Sequence, residues 1–525
     1  MEMEKLGIKR VRCHSEKAAA YMADGYARVS RRPGIALAQS VGAANMAAGL
    51  QDAYLAVSPV IAITGRWAPT FLYRHAYQEI DHRPFYDPVT KFNAYVDTIE
   101  DLPLMLSQAF REATTGAPGP VHLDFMGLAG EGASDAEADL EVMAEIPFRQ
   151  YPAFRPEPES EHIKEAARLI VQAERPVLVA GGGVTASVAQ AETCRLAEML
   201  SIPVATSLNG KGAISEDHRL SVGVVGTYSR KCANEIVAEA DLVVFIGSHT
   251  GGQVTHFWQI PKPGTRTIQI DIDPSEIGRN YPAAVCLQGD AKVTLQRLID
   301  AVEPRGLNTV WTSRAQELVQ VWREAYEPLF VSDAVPIRPE RLCREITKML
   351  PADAVLVSDT GHAGIWTGSM IELTQPAQTY LRCAGSLGWG FPAAMGAKCA
   401  EPNRPVICFT GDGGFWYHIG ELETAARFGI NTVTVVNNNR SFNQCKGGFE
   451  SAYLDQAGGD SGALWVFEDV NFAEVARSMG CLGIRVEDPS EIGSALDQAI
   501  GANRPVVVDV ASDMEAMAPT AYVPE

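Results

Sequence analysis

The sequence is 525 residues long and 46% hydrophobic, so it can form several hydrophobic cores. Its net charge of −20 argues against nucleic acid or an anionic membrane as the main partner. No apolar run approaches the roughly 20 residues that span a bilayer, and the charged N-terminus lacks the apolar core of a signal peptide. The ten cysteines contain no CxxC pair, which is typical of free thiols in a reducing compartment. We therefore expect a cytoplasmic protein.

Nine apolar runs predict β-strands, and helical stretches separate most of them. In chain order the runs are PGIALAQ, SPVIAITG, RPVLVAGGG, DLVVFIGS, RTIQIDID, AVLVSD, RPVICFTG, NTVTVVNN and RPVVVDVAS. Several are apolar on both faces, as buried parallel strands are. The pattern predicts an α/β fold of mostly parallel sheets flanked by helices, with ligand sites at the carboxyl ends of the strands.

Two polar joints that contain proline divide this pattern into three parts. One joint covers residues 148–162, and the other covers residues 332–342. We expect three domains, at residues 1–147, 160–305 and 338–520.

A glycine turn and an asparagine pair carry the clearest chemical signal. Gly411-Asp412-Gly413 ends one strand-like run, and Asn438-Asn439 ends the next after 24 intervening residues. Carboxylate and amide oxygens are ligands that suit Mg²⁺, and glycines allow backbone N–H groups to approach an anion closely. The pattern predicts a diphosphate held through a divalent metal. Alternatively, Asp412 caps the following helix and the asparagines only turn the chain.

With its other motifs, the chain resembles the thiamine diphosphate-dependent decarboxylase and acetolactate synthase superfamily over almost its whole length. The motifs are RCHSEKAAAYMADGYAR, AQSVGAANMAAGLQDAYL, RHAYQEID, SDTGHAGIWTG, RCAGSLGWGFPAAMGAK and the GDG…NN element. The resemblance implies pyrimidine-binding, central and diphosphate-binding domains. It also implies a homodimer or homotetramer with active sites at the subunit interface. Mg²⁺ would bind the side chains of Asp412 and Asn439 and the backbone carbonyl of Ser441.

The same resemblance assigns further residues to thiamine diphosphate. The cofactor-binding set is Glu16, Gly361, His362, Ser386, Leu387, Gly411, Asp412, Gly413, Gly414, Asn439 and Ser441. Glu16 would hydrogen-bond the aminopyrimidine ring and favour its imino tautomer, or it is a solvated glutamate in the first turn of a helix. Leu387 would hold the cofactor in its V shape, or it is ordinary core. His362 would donate to phosphate, or it caps a helix.

Three residues are the catalytic candidates by this resemblance, namely Glu16, Gln39 and Gln78. Gln39 belongs to a polar turn that faces the reacting carbon in the synthases. Gln78 belongs to the triplet Tyr77-Gln78-Glu79, which favours the synthase and oxidase branch over the simple decarboxylases. His75 in the same loop is a candidate for proton relay, although loop histidines are commonly only surface residues.

The chain departs from the family pattern in three places. Family chains usually begin with a strand–helix–strand unit before the glutamate, whereas Glu16 stands close to the start here. Either another segment fills the space of that unit, or the protein starts further upstream, since an exposed sheet edge would otherwise favour aggregation. Residues 249–252 read His-Thr-Gly-Gly where flavin-binding synthases carry arginine and acidic residues, which argues against FAD. Gln444 and Cys445 stand where family members vary with substrate.

The resemblance implies a thiamine diphosphate- and Mg²⁺-dependent enzyme that decarboxylates a 2-oxo acid and then forms a new carbon–carbon bond. The alternatives are a simple 2-oxo acid decarboxylase, a flavin-assisted oxidase, and a cofactor-binding pseudoenzyme or assembly subunit. A nicotinamide-dependent dehydrogenase would need a glycine-rich dinucleotide turn with an acidic partner, and Gly181-Gly182-Gly183 does not match one.

Overall fold

A computed structural model describes residues 2–127, 140–141, 145–304, 308–453 and 459–523, and it contains three sheets in which every described strand pair is parallel. The first sheet comprises β1 Gly34–Gln39, β2 Val60–Arg66, β3 Phe92–Val96 and β4 Val121–Met126. The second comprises β5 Pro176–Ala180, β6 Val204–Thr206, β7 Ser221–Val224, β8 Leu242–Ile246, β9 Arg266–Asp271 and β10 Ala283–Gln288. The third comprises β11 Val355–Ser358, β12 Thr379–Arg382, β13 Val406–Gly411, β14 Val433–Asn438, β15 Leu482–Val486 and β16 Val506–Ala511. All nine apolar runs form strands, and the predicted α/β class is confirmed.

Helices flank all three sheets. Their bounds are α1 Glu2–Lys5, α2 Glu16–Ser30, α3 Val41–Leu55, α4 Arg83–Tyr86, α5 Leu102–Thr114, α6 Ser160–Gln172, α7 Gly182–Ser187, α8 Gln190–Leu200, α9 Lys231–Glu239, α10 Gly252–Thr255, α11 Ala291–Ala301, α12 Thr309–Phe330, α13 Pro339–Met349, α14 His362–Ser369, α15 Gly390–Ala400, α16 Asp412–Phe415, α17 Glu421–Phe428, α18 Lys446–Tyr453, α19 Phe472–Ser478 and α20 Ile492–Gly501. None of the helices in the described part of the chain is both long and apolar enough to cross a membrane.

The first sheet is smaller than the other two and has an exposed edge. Its order is β1-β2-β4-β3, so β1 is hydrogen-bonded on one side only. Ile35 and Leu37 on this strand are 51% and 50% exposed, whereas Ala36 between them is buried. Among the described residues, β1 is therefore an exposed edge strand.

The order of the third sheet explains where a ligand can bind. The order is β12-β11-β13-β14-β16-β15, so the chain leaves β11 to one side and then returns to the other side for β13. Parallel sheets form a crevice at such a switch point, outside the carboxyl ends of the strands. The SDTGH segment after β11 and the GDG turn after β13 both lie at this crevice. The asparagine run that ends β14 lies beside them, because β13 and β14 are neighbours.

Small residues bring the first and third domains into contact through helices α2 and α15. A Cβ atom on Gly25 would overlap the backbone of Ala393, and a Cβ atom on Gly396 would overlap the backbone of Met22. The two helix backbones therefore approach each other as closely as hydrogen side chains allow. This contact fixes the helix that begins at Glu16 against the helix that follows Leu387.

We predict that Gly25→Ala forces α2 and α15 apart and lowers the free energy of unfolding by about 1–3 kcal/mol, because a methyl group cannot fit against a backbone carbonyl. Urea denaturation measures the effect. Gly501→Ala is the matched control, since a Cβ atom added at that position would meet no other atom within 4 Å. Equal stability of the two variants would contradict this account of the contact.

Candidate cofactor site

The three predicted metal ligands lie together in the structure. Asp412 Oδ2 accepts a hydrogen bond from the backbone N–H of Ser441 at 3.0 Å, and Ser441 Oγ donates to Asn439 Oδ1 at 3.0 Å. The side chains of all three residues are buried. Pairing of Gly411 with Asn437 in neighbouring strands brings the two turns to the same point. We call these three residues the ligand cluster.

The neighbouring asparagines have different roles. Asn438 uses its amide group within the fold, because Nδ2 donates to Asp509 Oδ1 at 2.9 Å and to the carbonyl of Val470 at 3.0 Å. Asn437 is also buried, and its Oδ1 has no hydrogen-bond partner among the described residues. The carboxylate of Asp412 is therefore joined to Ser441 and Asn439, not to Asn438.

The ligand cluster has the properties that a divalent cation requires. Burial raises the pKa of Asp412 to about 7, although backbone N–H groups partly offset this effect. Within the described ranges, no lysine, arginine or histidine forms an ion pair with this carboxylate. A buried carboxylate without a cationic partner is costly, and hard oxygen donors suit Mg²⁺. The residues present therefore fit the predicted metal.

The glycines of this turn are needed for close packing. A Cβ atom on Gly413 would overlap the ring of Phe442, and one on Gly414 would lie 3.1 Å from Thr410 Oγ1. Gly411 is the residue before α16, and Asp412 is the first residue of that helix. Asp412 Oδ1 accepts the N–H of Gly413 at 2.8 Å, whereas Oδ2 accepts the N–H of Ser441 at 3.0 Å. Asp412 therefore bonds both the first turn of α16 and the segment after β14.

A second buried carboxylate, Asp359, holds the turn that carries Leu387. Asp359 Oδ1 accepts the N–H groups of Thr360 and Gly388 at 2.8 and 3.1 Å, and Oδ2 accepts the N–H of Gly390 at 3.0 Å. Burial raises the pKa of Asp359 to about 6. This residue connects the end of β11 with the turn before α15. Sequence reasoning did not select Asp359, although its position directly after the apolar run that forms β11 could have indicated it.

A third carboxylate, Asp52 of the first domain, fixes the residues just before Leu387. It accepts the backbone N–H groups of Ala384 and Ser386 at 2.8 and 3.1 Å. Ser386 and Leu387 are half-buried, so Leu387 is not a fully buried core residue. No local pattern predicts the role of Asp52, because it lies within a helix and its partners are more than 330 residues away.

The segment after β11 places Gly361 and His362 at the start of α14. Gly361 has a φ of 69°, a left-handed conformation that favours glycine. His362 makes no capping bond, so the alternative in which it caps the helix is wrong. Burial lowers its pKa to about 4, which keeps the ring neutral at pH 7. Its Nδ1 is buried and has no partner among the described residues.

Glu16 lies at the start of α2. Its Oε2 accepts a hydrogen bond from Asn45 Nδ2 at 2.8 Å, and its other carboxylate oxygen occupies the space beside Gly42. The next residue, Lys17, lies over the ring of Tyr417, which is part of the segment that follows the GDG turn. Across the described part of the chain, no hydrogen bond or ion pair connects Glu16 with Asp412.

Gln39 and Gln78 are exposed. In the described part of the chain, neither is hydrogen-bonded to a residue of the ligand cluster. Gln78 has a φ of 60°, as its loop turns sharply. Glu79 holds this loop, because its carboxylate accepts the N–H groups of Tyr73 and Ala76 at 2.5 and 3.0 Å. The tyrosine–glutamine–glutamate triplet thus contains one residue that fixes the loop, Glu79, and two that face solvent. His75 in the same loop is exposed, and its role stays a prediction.

Comparisons with known proteins match all three parts of the chain. Residues 1–85 match the thiamine pyrophosphate enzyme N-terminal TPP binding domain, residues 163–298 the central domain, and residues 359–510 the C-terminal TPP binding domain. The chain belongs to the thiamine diphosphate-dependent enzyme family. The predicted superfamily and its three-domain architecture are confirmed.

Curated relatives are similar over nearly the whole chain. A probable acetolactate synthase large subunit of Methanocaldococcus jannaschii is 36% identical over 513 residues, which is 95% of this chain and 84% of the relative. The large subunit from Cyanidium caldarium is 30% identical over 97% of this chain and 86% of its own length. That from Haemophilus influenzae is 30% identical over 97% and 88%. The chain is therefore an acetolactate synthase-like member of its family.

We predict that the difference in unfolding free energy between the wild-type protein and its Asp359→Asn variant depends on pH. A carboxyl group whose folded pKa is raised to about 6 stabilises the fold fully below its unfolded pKa of 3.8, and this contribution is lost as the pH rises through about 6. The unfolding free energy of the wild type relative to the variant should therefore fall by about 3 kcal/mol between pH 4 and pH 7.

Chemical denaturation at several pH values measures this difference. The exposed Asp353→Asn is the control and should leave the pH profile unchanged. A difference for Asp359→Asn that does not vary with pH would show that the carboxyl group is not perturbed by burial.

Proposed function

We propose that this protein is a thiamine diphosphate- and Mg²⁺-dependent enzyme that decarboxylates a 2-oxo acid and joins the remaining fragment to a second carbonyl compound, as acetolactate synthesis requires. The observation that carries the proposal is the buried ligand cluster at the switch point of the third sheet. The names of the relatives and the triplet that contains Gln78 support carboligation over simple decarboxylation.

The ligand cluster indicates which residues would hold Mg²⁺ and the diphosphate end of the cofactor. Asp412 and Asn439 would hold Mg²⁺ through side-chain oxygens, and Ser441 through its backbone carbonyl. The backbone near Gly361 and Gly413 would approach the diphosphate, and neutral His362 would donate a hydrogen bond to it. Leu387 would support the cofactor between its two rings, with its turn fixed by Asp359. Bound thiamine diphosphate supplies a carbanion for attack on the substrate carbonyl and an electron sink for release of CO₂.

Glu16 would act at the other end of the cofactor. Its half-buried carboxylate would hydrogen-bond the aminopyrimidine ring and share a proton with it, and Asn45 keeps the carboxylate in place. Gln39 and Gln78 would contact the reacting groups from the same domain. Because the family resemblance implies active sites at the subunit interface, we propose a homodimer or dimer of dimers. In it, Glu16 of one subunit would complete the site of another.

Three further assignments belong to this proposal. The domains would extend over residues 1–147, 160–305 and 338–520, although residues 1, 128–139 and 142–144 of the first range lie outside the described residues. The ten free cysteines support a reducing, cytoplasmic location. His249 and its neighbours replace the arginine and acidic residues of flavin-binding synthases, which weakens the case for FAD, whereas Gly226 and Thr227 would still suit a nucleotide contact.

We predict that a panel of 2-oxo acids, assayed with and without aldehyde or 2-oxo acid acceptors, gives CO₂ release together with ligated products. Product mass identifies the new carbon–carbon bond. Aldehyde as the only product would favour the simple decarboxylase. Cofactor binding without CO₂ release from any substrate would favour the pseudoenzyme. Flavin absorbance in the purified protein would favour the oxidase.

For Glu16→Gln we predict nearly unchanged cofactor affinity but H/D exchange at the thiazolium C2 slowed about 10²- to 10⁴-fold, because the amide cannot accept the proton. NMR of the bound cofactor after acid quench measures the exchange. Glu423→Gln is the control, since this half-exposed glutamate contacts His14 in the same region. Unchanged exchange in Glu16→Gln would contradict the role of Glu16.

A second variant, Asp412→Ala, tests the proposed metal ligand. Asp412→Ala should weaken Mg²⁺-dependent cofactor retention at least about 100-fold, since even indirect partners of a metal affect affinity 10–100-fold.

Mixing Glu16→Gln with Asp412→Ala tests the subunit arrangement. If Glu16 and Asp412 of different subunits form one site, mixing the two inactive variants should restore about a quarter of wild-type activity by formation of mixed dimers. No recovery after confirmed subunit exchange would place both residues in one chain's site.

A further inference from the structure

Helix α14 is held at its C-terminal end by two buried cations of the central domain. Lys211 Nζ donates to the carbonyl of Gly368 at 3.2 Å, and Arg230 Nε donates to the carbonyl of Ser369 at 2.7 Å. Both side chains are almost completely buried. The last carbonyls of a helix lack partners within the helix and carry partial negative charge, so cations stabilise them.

A buried glutamate joins these two cations. Glu216 contacts Lys211 Nζ at 2.6 Å and an Arg230 nitrogen at 3.2 Å. Burial alone would raise the pKa of Glu216, but Lys211 and Arg230 lower it below its usual value, so the glutamate is ionised at neutral pH. Glu216 also accepts the N–H of Leu373 at 2.8 Å, just beyond α14. Lys211, Glu216 and Arg230 form what we call the ionic clamp.

General stability does not explain the ionic clamp well. Buried ion pairs often contribute little net stability, because removing the charges from water offsets their attraction. We therefore interpret these three charged residues as groups that fix the position of the backbone atoms they bond, and not as a source of stability. Its hydrogen bonds end at backbone atoms at and just beyond the C-terminal end of α14, whose first residue, His362, faces the proposed diphosphate site.

The central domain also contacts the N-terminal half of α14 through Tyr228. The Tyr228 ring packs over Gly364, where an added Cβ atom would lie 3.3 Å from Cε2. The Tyr228 hydroxyl accepts a hydrogen bond from Gln444 Nε2 at 3.3 Å, and Gln444 Oε1 lies beside Gly361. Tyr228 therefore connects the start of α14 with the segment that follows the ligand cluster.

We propose that the central domain is a positioning element of the cofactor site: the ionic clamp sets the position of α14 along its axis, and Tyr228 sets the position of Gln444 relative to Gly361. This inference rests on the proposed function, because it assumes that α14 and the ligand cluster hold a Mg²⁺-bound diphosphate. Lys211, Arg230 and Tyr228 are positioning residues, since none belongs to the proposed ligand set.

The first test is binding of Mg²⁺ with inorganic diphosphate to the full-length protein, measured by calorimetry. Lys211→Met should weaken binding about tenfold, in the range found for residues that position metal ligands. Lys211→Arg should restore most of the affinity, because it keeps a cation at the helix end. Arg155→Met is the matched control. Arg155 pairs with buried Asp290 at 2.8 Å in the central domain, and its contacts do not include α14.

The second variant, Tyr228→Phe, removes only the hydroxyl group and so keeps the packing on Gly364. It should weaken Mg²⁺-diphosphate binding about threefold to tenfold, as expected for one hydrogen bond. This variant keeps the inference testable if Lys211→Met fails to fold, which circular dichroism and a thermal melt would show.

The possible results distinguish failure of the proposed function from failure of the positioning role. If the wild type does not bind Mg²⁺-diphosphate or thiamine diphosphate, the proposed function fails. If the wild type binds and the folded Lys211→Met and Tyr228→Phe variants bind equally well, the positioning role is wrong. Weaker binding in both variants, with wild-type affinity in Arg155→Met, supports it.

Discussion

The site depends on buried carboxylates that accept backbone N–H groups. Asp52 and Asp359 receive such bonds from adjacent parts of the segment before α15, and Asp412 receives them from Gly413 and from Ser441 in the turn after β14. A turn without side-chain packing has few other means of holding one conformation. Charge-assisted hydrogen bonds to its N–H groups provide a strong one. The carboxylates therefore decide the shape of the turns on which the proposed cofactor site is built.

This arrangement has an electrostatic consequence. Burial raises the pKa of Asp359 and Asp412, because backbone dipoles only partly replace the water that a carboxylate loses. Burial also raises the pKa of Asp52, but Arg28 lies 3.5 Å from this carboxylate and partly offsets the effect. Among the described residues, Asp412 has no comparable cation. A divalent metal at Asp412 would remove that imbalance and would add its own charge to the site for the diphosphate.

The central domain contributes cations where the third domain contributes carbonyl groups. Lys211 and Arg230 contact the end of α14, while Glu216 and Glu372, which pairs with Arg230 at 3.4 Å, balance their two charges. The three domains thus connect through polar groups at specific backbone atoms as well as through close glycine packing, as between α2 and α15. Such contacts give positional precision that apolar packing alone does not provide.

The sequence by itself determined the α/β class, nine of the strands and the meeting of the Gly411–Gly413 turn with the asparagine pair, because apolar runs and strand-end residues are local signals and neighbouring parallel strands end at one edge. The family resemblance added the choice of Asn439 and Ser441. Sequence reasoning missed Asp52, whose partners lie more than 330 residues away, and the ionic clamp, whose residues look like ordinary surface charges in the sequence. Only the tertiary structure decided which distant turns these side chains hold, since packing between domains brings the backbone atoms of residues 384–386 to Asp52 and those of Gly368 and Ser369 to Lys211 and Arg230.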